Sequence, residues 1–513
     1  MKYDISMLST EEKIGQLLVA SIDGFALDDA AKAFLDTCHI GNIIHFGNNV
    51  RDREQAAALN AALDAHIRAR GGIPPLIGID HEGGRVTRFL SGVTVFPAAM
   101  AIGATGDLQL AEAVGRAMGR ELRSMGFSIN FAPVLDVNTN PHNPVIGTRA
   151  YGDDPEHIAS FGIAMAKGMQ AEGLAACGKH FPGHGDTDVD SHYGLPSVDK
   201  PLDMLKKTDL LPFQRAIDAG IASLMTTHIL FPQLEQAQTP ATMSTAILQG
   251  LLRQRMGFDG LIISDGMQME AITKWFGLER GSIEAVKAGV DLLCIGTGGG
   301  GTMAAQISTY HALVDAVQSG EIPMARIDDA VRRVLAAKEA YAAPFTGEVD
   351  WQANAALARK AADASMTWLM HGEKKVAGKV LCASVPAPAP KYGIRAGDWH
   401  ETSFANIAAK ALGGEALLLG DIVTQIEAVK RADSVVMSIT DGGEAESQFL
   451  QEAIAMGKRV FAVITGSPYI AAYMGPECAV LCTYGTAGLS VEAACRVLSG
   501  EIEAKGKLPV HLW

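Results

Sequence analysis

Short apolar runs recur along the chain, each closed by a turn and followed by a stretch whose apolar positions have helical spacing. That alternation is the pattern of parallel strand–helix units. The runs are VASI (19–22), NIIHF (42–46), LIGID (76–80), INFAPVLDV (129–137), AACGKH (175–180), SLMTTH (223–228), LIISD (261–265) and LLCIG (292–296). Eight strands predict a closed (β/α)8 barrel of the TIM type with long loops, because a doubly wound open sheet more often stops at five or six. Ahead of the first run, Ser9-Thr10-Glu11-Glu12 has the spacing of a capping box and predicts the start of the first helix.

Past Ala342 the pattern changes. The stretch PFTGEVDWQANAALARKAADASMTWLM (344–370) reads as a connector ending in a helix, and the strand rhythm then restarts with KVLCAS (379–384), EALLLGD (415–421), SVVMSIT (434–440), RVFAVIT (459–465) and AVLCTYG (479–485). Five strands with helices between them predict a smaller doubly wound α/β sandwich. The expected organisation is a barrel over 1–342, a connector with a helix over 343–376 and a sandwich domain over 377–513. The polar run DGGEAES (441–447) reads as a solvated loop, the alternative being a loop that faces the barrel.

Composition narrows the function classes. A chain of 513 residues exceeds what one hydrophobic core organises, and 48% hydrophobic with 19% charged residues is the balance of a folded globular protein. The formal charge of −14 repels phosphate backbones, so nucleic acid is not an expected partner and a small neutral ligand fits better. The start MKYDISMLSTEEK lacks the apolar core of a signal peptide, and no run approaches the ~18 apolar residues of a membrane span. A cytoplasmic protein with no membrane contact is expected. The seven cysteines are scattered in apolar runs and read as reduced core thiols; Cys478 and Cys482 approach metal-ligand spacing but have no second pair.

The chemistry collects at the carboxyl ends of the barrel runs. Asp80, Asp136, His180, His228 and Asp265 each close one, and in a barrel those ends converge on one mouth. The densest stretch is KHFPGHGDTDVDSH, Lys179 to His192, with three histidines and three aspartates. A metal cage would want ligands on rigid elements at close spacing, and the glycines with Pro182 preclude a helix from His180 to Gly185, so no metal is expected. Proton handling fits better. Asp190 and His192 are two apart, so in an extended stretch both side chains point one way, and a carboxylate beside an imidazole fixes its tautomer and supports its charged form. Asp265, after three apolar strand residues, is a carboxylate held rigidly enough to attack an anomeric carbon, or else a cap of the next helix.

KHFPGHGDTDVDSH, IDHEGGRVTRF (79–89), NFAPVLDV (130–137), GTRAYG (147–152) and GLIISDGMQME (260–270) together resemble the β-N-acetylglucosaminidase branch of glycoside hydrolase family 3. ARKAADASMTWL (358–369) and GKLPV (506–510) are similar to its two-domain members. The resemblance implies a retaining, exo-acting glycosidase that removes terminal N-acetylglucosamine from muropeptides or chitin oligosaccharides without a cofactor. It makes Asp265 the nucleophile, His192 the general acid and base oriented by Asp190, and Asp80, Arg88, Arg149, Lys179, His180 and His228 the residues around the terminal sugar. This sequence has Gly266 where the family often carries an acidic or small residue after the nucleophile, and His81 where glutamine is frequent. Two other readings stand beside it. A neutral histidine base does not repel an incoming phosphate, so phosphorolysis fits as well, and GTGGGG (296–301) is either a phosphate site or a plain loop. A non-catalytic sugar-binding protein is the third. The second domain either braces the barrel or mediates dimerisation, so monomer and homodimer both fit.

Overall fold

The computed structural model describes residues 3–89, 91–188, 190, 194–297, 301–370, 375–386, 403–440 and 442–512. All eight N-terminal runs contain strands: β1 (Leu18–Ala20), β2 (Asn42–His45), β3 (Leu76–Ile79), β4 (Ile129–Asn130), β5 (Ala175–Phe181), β6 (Ser223–Thr226), β7 (Leu261–Ile263) and β8 (Leu293–Ile295). They pair in parallel in the order β7-β6-β5-β4-β3-β2-β1-β8, and a parallel bridge between Ile263 and Leu292 joins the two ends of that row. The result is the TIM-type barrel expected from the run pattern. Its first helix begins as the capping box predicts, with Glu12 N–H donating to Ser9 Oγ at 3.1 Å and Ser9 N–H to Glu12 Oε2 at 2.8 Å.

The barrel interior is a packed apolar plug that includes Ile44, Leu76, Phe131, Cys177, Met225 and Ile263. Gly78 makes room for it: a Cβ there would lie 2.7 Å from the Phe131 ring. β4 is shorter than the run INFAPVLDV suggests. Pro133 has no N–H to give to a ladder, and beyond it the chain follows β5 through single bonds instead, Lys179 N–H to Pro133 O at 3.1 Å and Leu135 N–H to Lys179 O at 2.7 Å.

The C-terminal runs form a six-stranded sheet: β9 (Thr367–Met370), β10 (Val380–Ser384), β11 (Glu415–Leu418), β12 (Ser434–Ile439), β13 (Arg459–Ile464) and β14 (Cys478–Cys482), in the order β11-β10-β12-β13-β14-β9. Five are parallel, and β9 pairs antiparallel with β14. β9 is the TWLM run, read from sequence as part of the connector. The preceding helix (Trp351–Ser365) ends at Ser365, and the β-branched and aromatic residues after it suit a strand edge. Alternate strand residues enter two separate cores, Leu381, Val435 and Val480 in one and Cys382, Val436 and Leu481 in the other, so this sheet is covered on both faces as a doubly wound sheet must be. Part of the presumed loop DGGEAES is a helix start: a helix spans Glu444–Ala455, and buried Glu446 caps it by accepting the N–H groups of Thr440 and Gly443 at 2.9 and 3.1 Å.

The described chain divides into two compact units, one of Met1–His81, Ala111–Ile146 and Pro155–Val349, the other of Glu82–Leu110, Gly147–Asp154 and Asp350–Trp513. Within the second, the GKLPV stretch acts as a strap. Lys507 N–H donates to Ala104 O at 2.8 Å, Asp153 N–H to Pro509 O at 3.2 Å and His511 N–H to Asp153 Oδ2 at 2.7 Å. All seven cysteines are buried and free. Among the described residues no helix is long and apolar enough to cross a membrane. Because the inward face at position 78 is already filled by Phe131, Gly78→Val is expected to destabilise the protein by about 1–3 kcal/mol, read as a lower midpoint of chemical denaturation.

Candidate active site

Strand periodicity places the first polar groups. On β3, Leu76 points into the plug, Gly78 faces the same way and Asp80 comes next on that face; on β5 the same step of two leads from Cys177 to Lys179, and on β7 from Ile263 to Asp265. Asp80 and Lys179 meet, with Nζ 2.7 Å from Oδ1 and the lysine side chain buried. Half-buried Asp265 accepts the N–H of Gly266 on Oδ1 at 2.7 Å. Two buried thiols sense both carboxylates: burial pushes Cys177 up to about 12 and Cys294 well above the ordinary thiol range, and the charges of Asp80 and Asp265 add to that in each.

The loop after β5 hangs on Asp136. Its carboxylate is fully buried; Oδ1 accepts the N–H of His180 at 3.0 Å and of His184 at 2.7 Å, and Oδ2 lies 2.7 Å from His180 Nδ1. Burial opposes ionisation, but the neighbouring His180 charge and these hydrogen bonds, with His184 adding to them, hold the carboxyl below its ordinary value. The His180 ring stands edge-on to His184 at 5.6 Å, and His184 Nδ1 meets Thr187 Oγ1 at 2.9 Å. Asn143 Nδ2 donates to His184 O at 2.8 Å, Asn140 Nδ2 to Thr187 O at 3.1 Å, and Thr139 Oγ1 to Asp186 Oδ1 at 2.8 Å. Lys200 ties the far end, 3.2 Å from Asp186 and 3.1 Å from Asp209. Gly185 fits only as glycine, since a Cβ would collide with the Val137 carbonyl. Of the three histidines that invite a metal reading, His180 meets a carboxylate and His184 a hydroxyl.

Asp190 follows this anchored base, half-buried, its carbonyl accepting Gly194 N–H at 3.1 Å. His192 lies outside the described residues, as do 298–300 of the GTGGGG run. His228 is fully buried, with Nδ1 2.9 Å from Thr242 Oγ1 and Nε2 3.1 Å from Gly266 O. Arg88 and Arg149 belong to the second compact unit, where the guanidinium of Arg149 clamps Glu82 through Nε and Nη2, both at 2.8 Å. Sequence reading places Asp136 among the five residues that close barrel runs but assigns it no role of its own, and it does not single out Glu82. Asp136 had the right signal, a carboxylate closing a strand, while nothing local marks Glu82 as the partner of an arginine 67 positions later. Chemically, the first unit offers a carboxylate just beyond β7, an ion pair at the ends of β3 and β5 and a histidine with a fixed ring, preorganised polar groups over an apolar plug.

Known proteins similar to this chain belong to one family. Residues 9–337 match the model of the glycosyl hydrolase family 3 N terminal domain. A beta-hexosaminidase of Chromobacterium violaceum is 38% identical over 284 residues, covering 54% of this chain and 78% of that one. Beta-hexosaminidase A of Pseudoalteromonas piscicida is 41% identical over 270 residues, covering 49% of this chain and 45% of that relative's length. The structure of a glycoside hydrolase family 3 beta-N-acetylglucosaminidase from Paenibacillus sp. str. FPU-7 superposes with a TM-score of 0.91 at 32% identity, over 98% of this chain and 99% of that one.

Burial also sets an acid sensitivity. It pushes His45, His81 and His184 down to about 4, with the His180 charge acting the same way on His184. Histidines of the unfolded chain take up protons near 6.5, so below that pH the unfolded state binds protons that the folded state refuses. Stability is expected to be full above about 6.5 and to fall as the pH drops toward 4. His81→Gln should reduce that slope by about 1.4 kcal/mol per pH unit, measured by chemical denaturation across the window.

Proposed function

The chain belongs to glycosyl hydrolase family 3, and on that premise we propose that it is a retaining, exo-acting β-N-acetylglucosaminidase whose substrates are chitin oligosaccharides or muropeptides. The observation that carries this reading is the likeness to the Paenibacillus β-N-acetylglucosaminidase along nearly the whole chain, joined to a rim carboxylate, Asp265, whose charge reaches the same buried thiols as Asp80.

In the first step a carboxylate oxygen of Asp265 bonds to the anomeric carbon while the bond from that carbon to the leaving oxygen breaks. The leaving oxygen takes its proton from His192, with Asp190 supporting the imidazolium. In the second, water attacks the same carbon, gives its proton to His192 and releases Asp265, so the β configuration is retained. Asp80, Lys179 and His180 take sugar hydroxyls, and Arg88 and Arg149 keep the sugar-gripping role that the family resemblance assigns them. The Lys179–Asp80 and His180–Asp136 pairs support this: each is a charged or polar group already held in place, so ordering it on binding costs little, and its hydrogen bonds strengthen as charge develops on the ring.

The test is turnover of a chromogenic N-acetylglucosaminide with and without phosphate, followed by trapping with a fluorinated N-acetylglucosaminyl fluoride and mass spectrometry. Free sugar released at a phosphate-independent rate and a label on Asp265 are expected. Asp265→Ala should lower kcat by at least ~10⁴-fold while sugar binding is kept, and His192→Ala should slow substrates with poor leaving groups most. Sugar 1-phosphate as the product makes the protein a phosphorylase, and binding without cleavage makes it a sugar sensor. Either result discards the hydrolase reading.

A further inference from the structure

Asp265 is followed by a glycine, the residue with the softest backbone, immediately beyond a strand that ends at Ile263. Sheet pairing does not continue to position 265, yet a nucleophile must keep its direction to within a fraction of an ångström. The peptide unit between Gly266 and Met267 is held from both sides. Its N–H donates to Cys294 O at 2.9 Å, and its carbonyl oxygen lies 3.1 Å from His228 Nε2. A carbonyl only accepts, so Nε2 carries the hydrogen and donates it. The preceding peptide turns its N–H, that of Gly266, onto Asp265 Oδ1. Two consecutive peptides joined at one glycine Cα therefore link the imidazole to the carboxylate.

The imidazole is itself backed. Nδ1 meets Thr242 Oγ1, and that hydroxyl lies 2.8 Å from Thr226 Oγ1 and 2.9 Å from Thr227 O, with His228 and all three threonines fully buried. An imidazole ring has two hydrogen-bonding nitrogens, and both here engage protein groups. We propose that His228 is a positioning residue for the nucleophile and not a ligand of the sugar: it clamps the Gly266 carbonyl so that the Asp265 carboxylate stays aimed at the anomeric carbon. This rests on the nucleophilic role proposed for Asp265 above.

The two amide residues discriminate the clamp from mere packing. Glutamine carries its terminal nitrogen about as far from the backbone as Nε2 and can donate to Gly266 O, whereas the shorter asparagine reaches only the region of Nδ1. The experiment uses the full chain: rate of covalent labelling by a fluorinated N-acetylglucosaminyl fluoride, site of the label by mass spectrometry, and affinity for N-acetylglucosamine by calorimetry. His228→Asn should slow labelling about 100-fold with sugar affinity changed less than about threefold, and His228→Gln should recover to within about tenfold of the wild type. Thr242→Val, which removes only the hydroxyl behind the ring, serves if the asparagine variant does not fold, and should slow labelling about tenfold at unchanged affinity. Equal labelling rates in all variants, or affinity lost in step with the rate, overturns the positioning role alone. A wild-type label on a residue other than Asp265 overturns both this role and the nucleophile assignment.

Discussion

A carboxylate sealed from water is among the most expensive groups a fold can contain unless donors surround it. Asp136 is sealed, and three N–H groups answer it, the backbone and ring of His180 near the end of β5 and the backbone of His184 just after it. Satisfying that charge leaves the loop after β5 one available course. Lys179 is consequently delivered to Asp80, His180 is given one ring orientation, and the glycine at 185 is brought against the Val137 carbonyl. The asparagines and Lys200 that bind the same loop add to a framework whose register Asp136 has already set.

The floor beneath these groups matters as much. The plug under the mouth is apolar down to its thiols, so charges placed above it are poorly screened and reach the thiols within it. That is why Asp80 and Asp265, which follow β3 and β7, act on the same two cysteines. Low polarity also makes neutral histidine the stable form at 45, 81 and 184. Groups that are costly to charge sit beside groups that must stay charged, and hydrogen-bond partners decide which is which.

Much of this was legible from residue order. Runs such as LIGID and LLCIG are apolar enough to be strands in any context, and eight of them with helices between leave a barrel as the natural closure. The errors came where four to nine residues had to be judged against distant partners. TWLM follows a long alanine-rich helix and has no feature of its own that outweighs it; β14 makes it a strand. INFAPVLDV is apolar throughout, but Pro133 withholds the donor a ladder needs, so its strand stops at Asn130. In DGGEAES, Glu446 turns back to cap its own helix, a contact that composition disguises as solvated polarity.

For the candidate site the division is cleaner. Residue type at the carboxyl end of an apolar run was enough to nominate Asp80 and Asp265, because such a run is a local feature, whereas Lys179 was named only through the family resemblance. Partners were beyond reach of any such rule. That Asp136 serves His180, that Glu82 holds Arg149, and that both nitrogens of His228 are taken by a threonine and a glycine carbonyl depend on chain segments brought together from 14 to 67 positions apart. A hydrogen bond is a matter of ångströms and angles, and those are set when the barrel closes, not when the residues are strung in order.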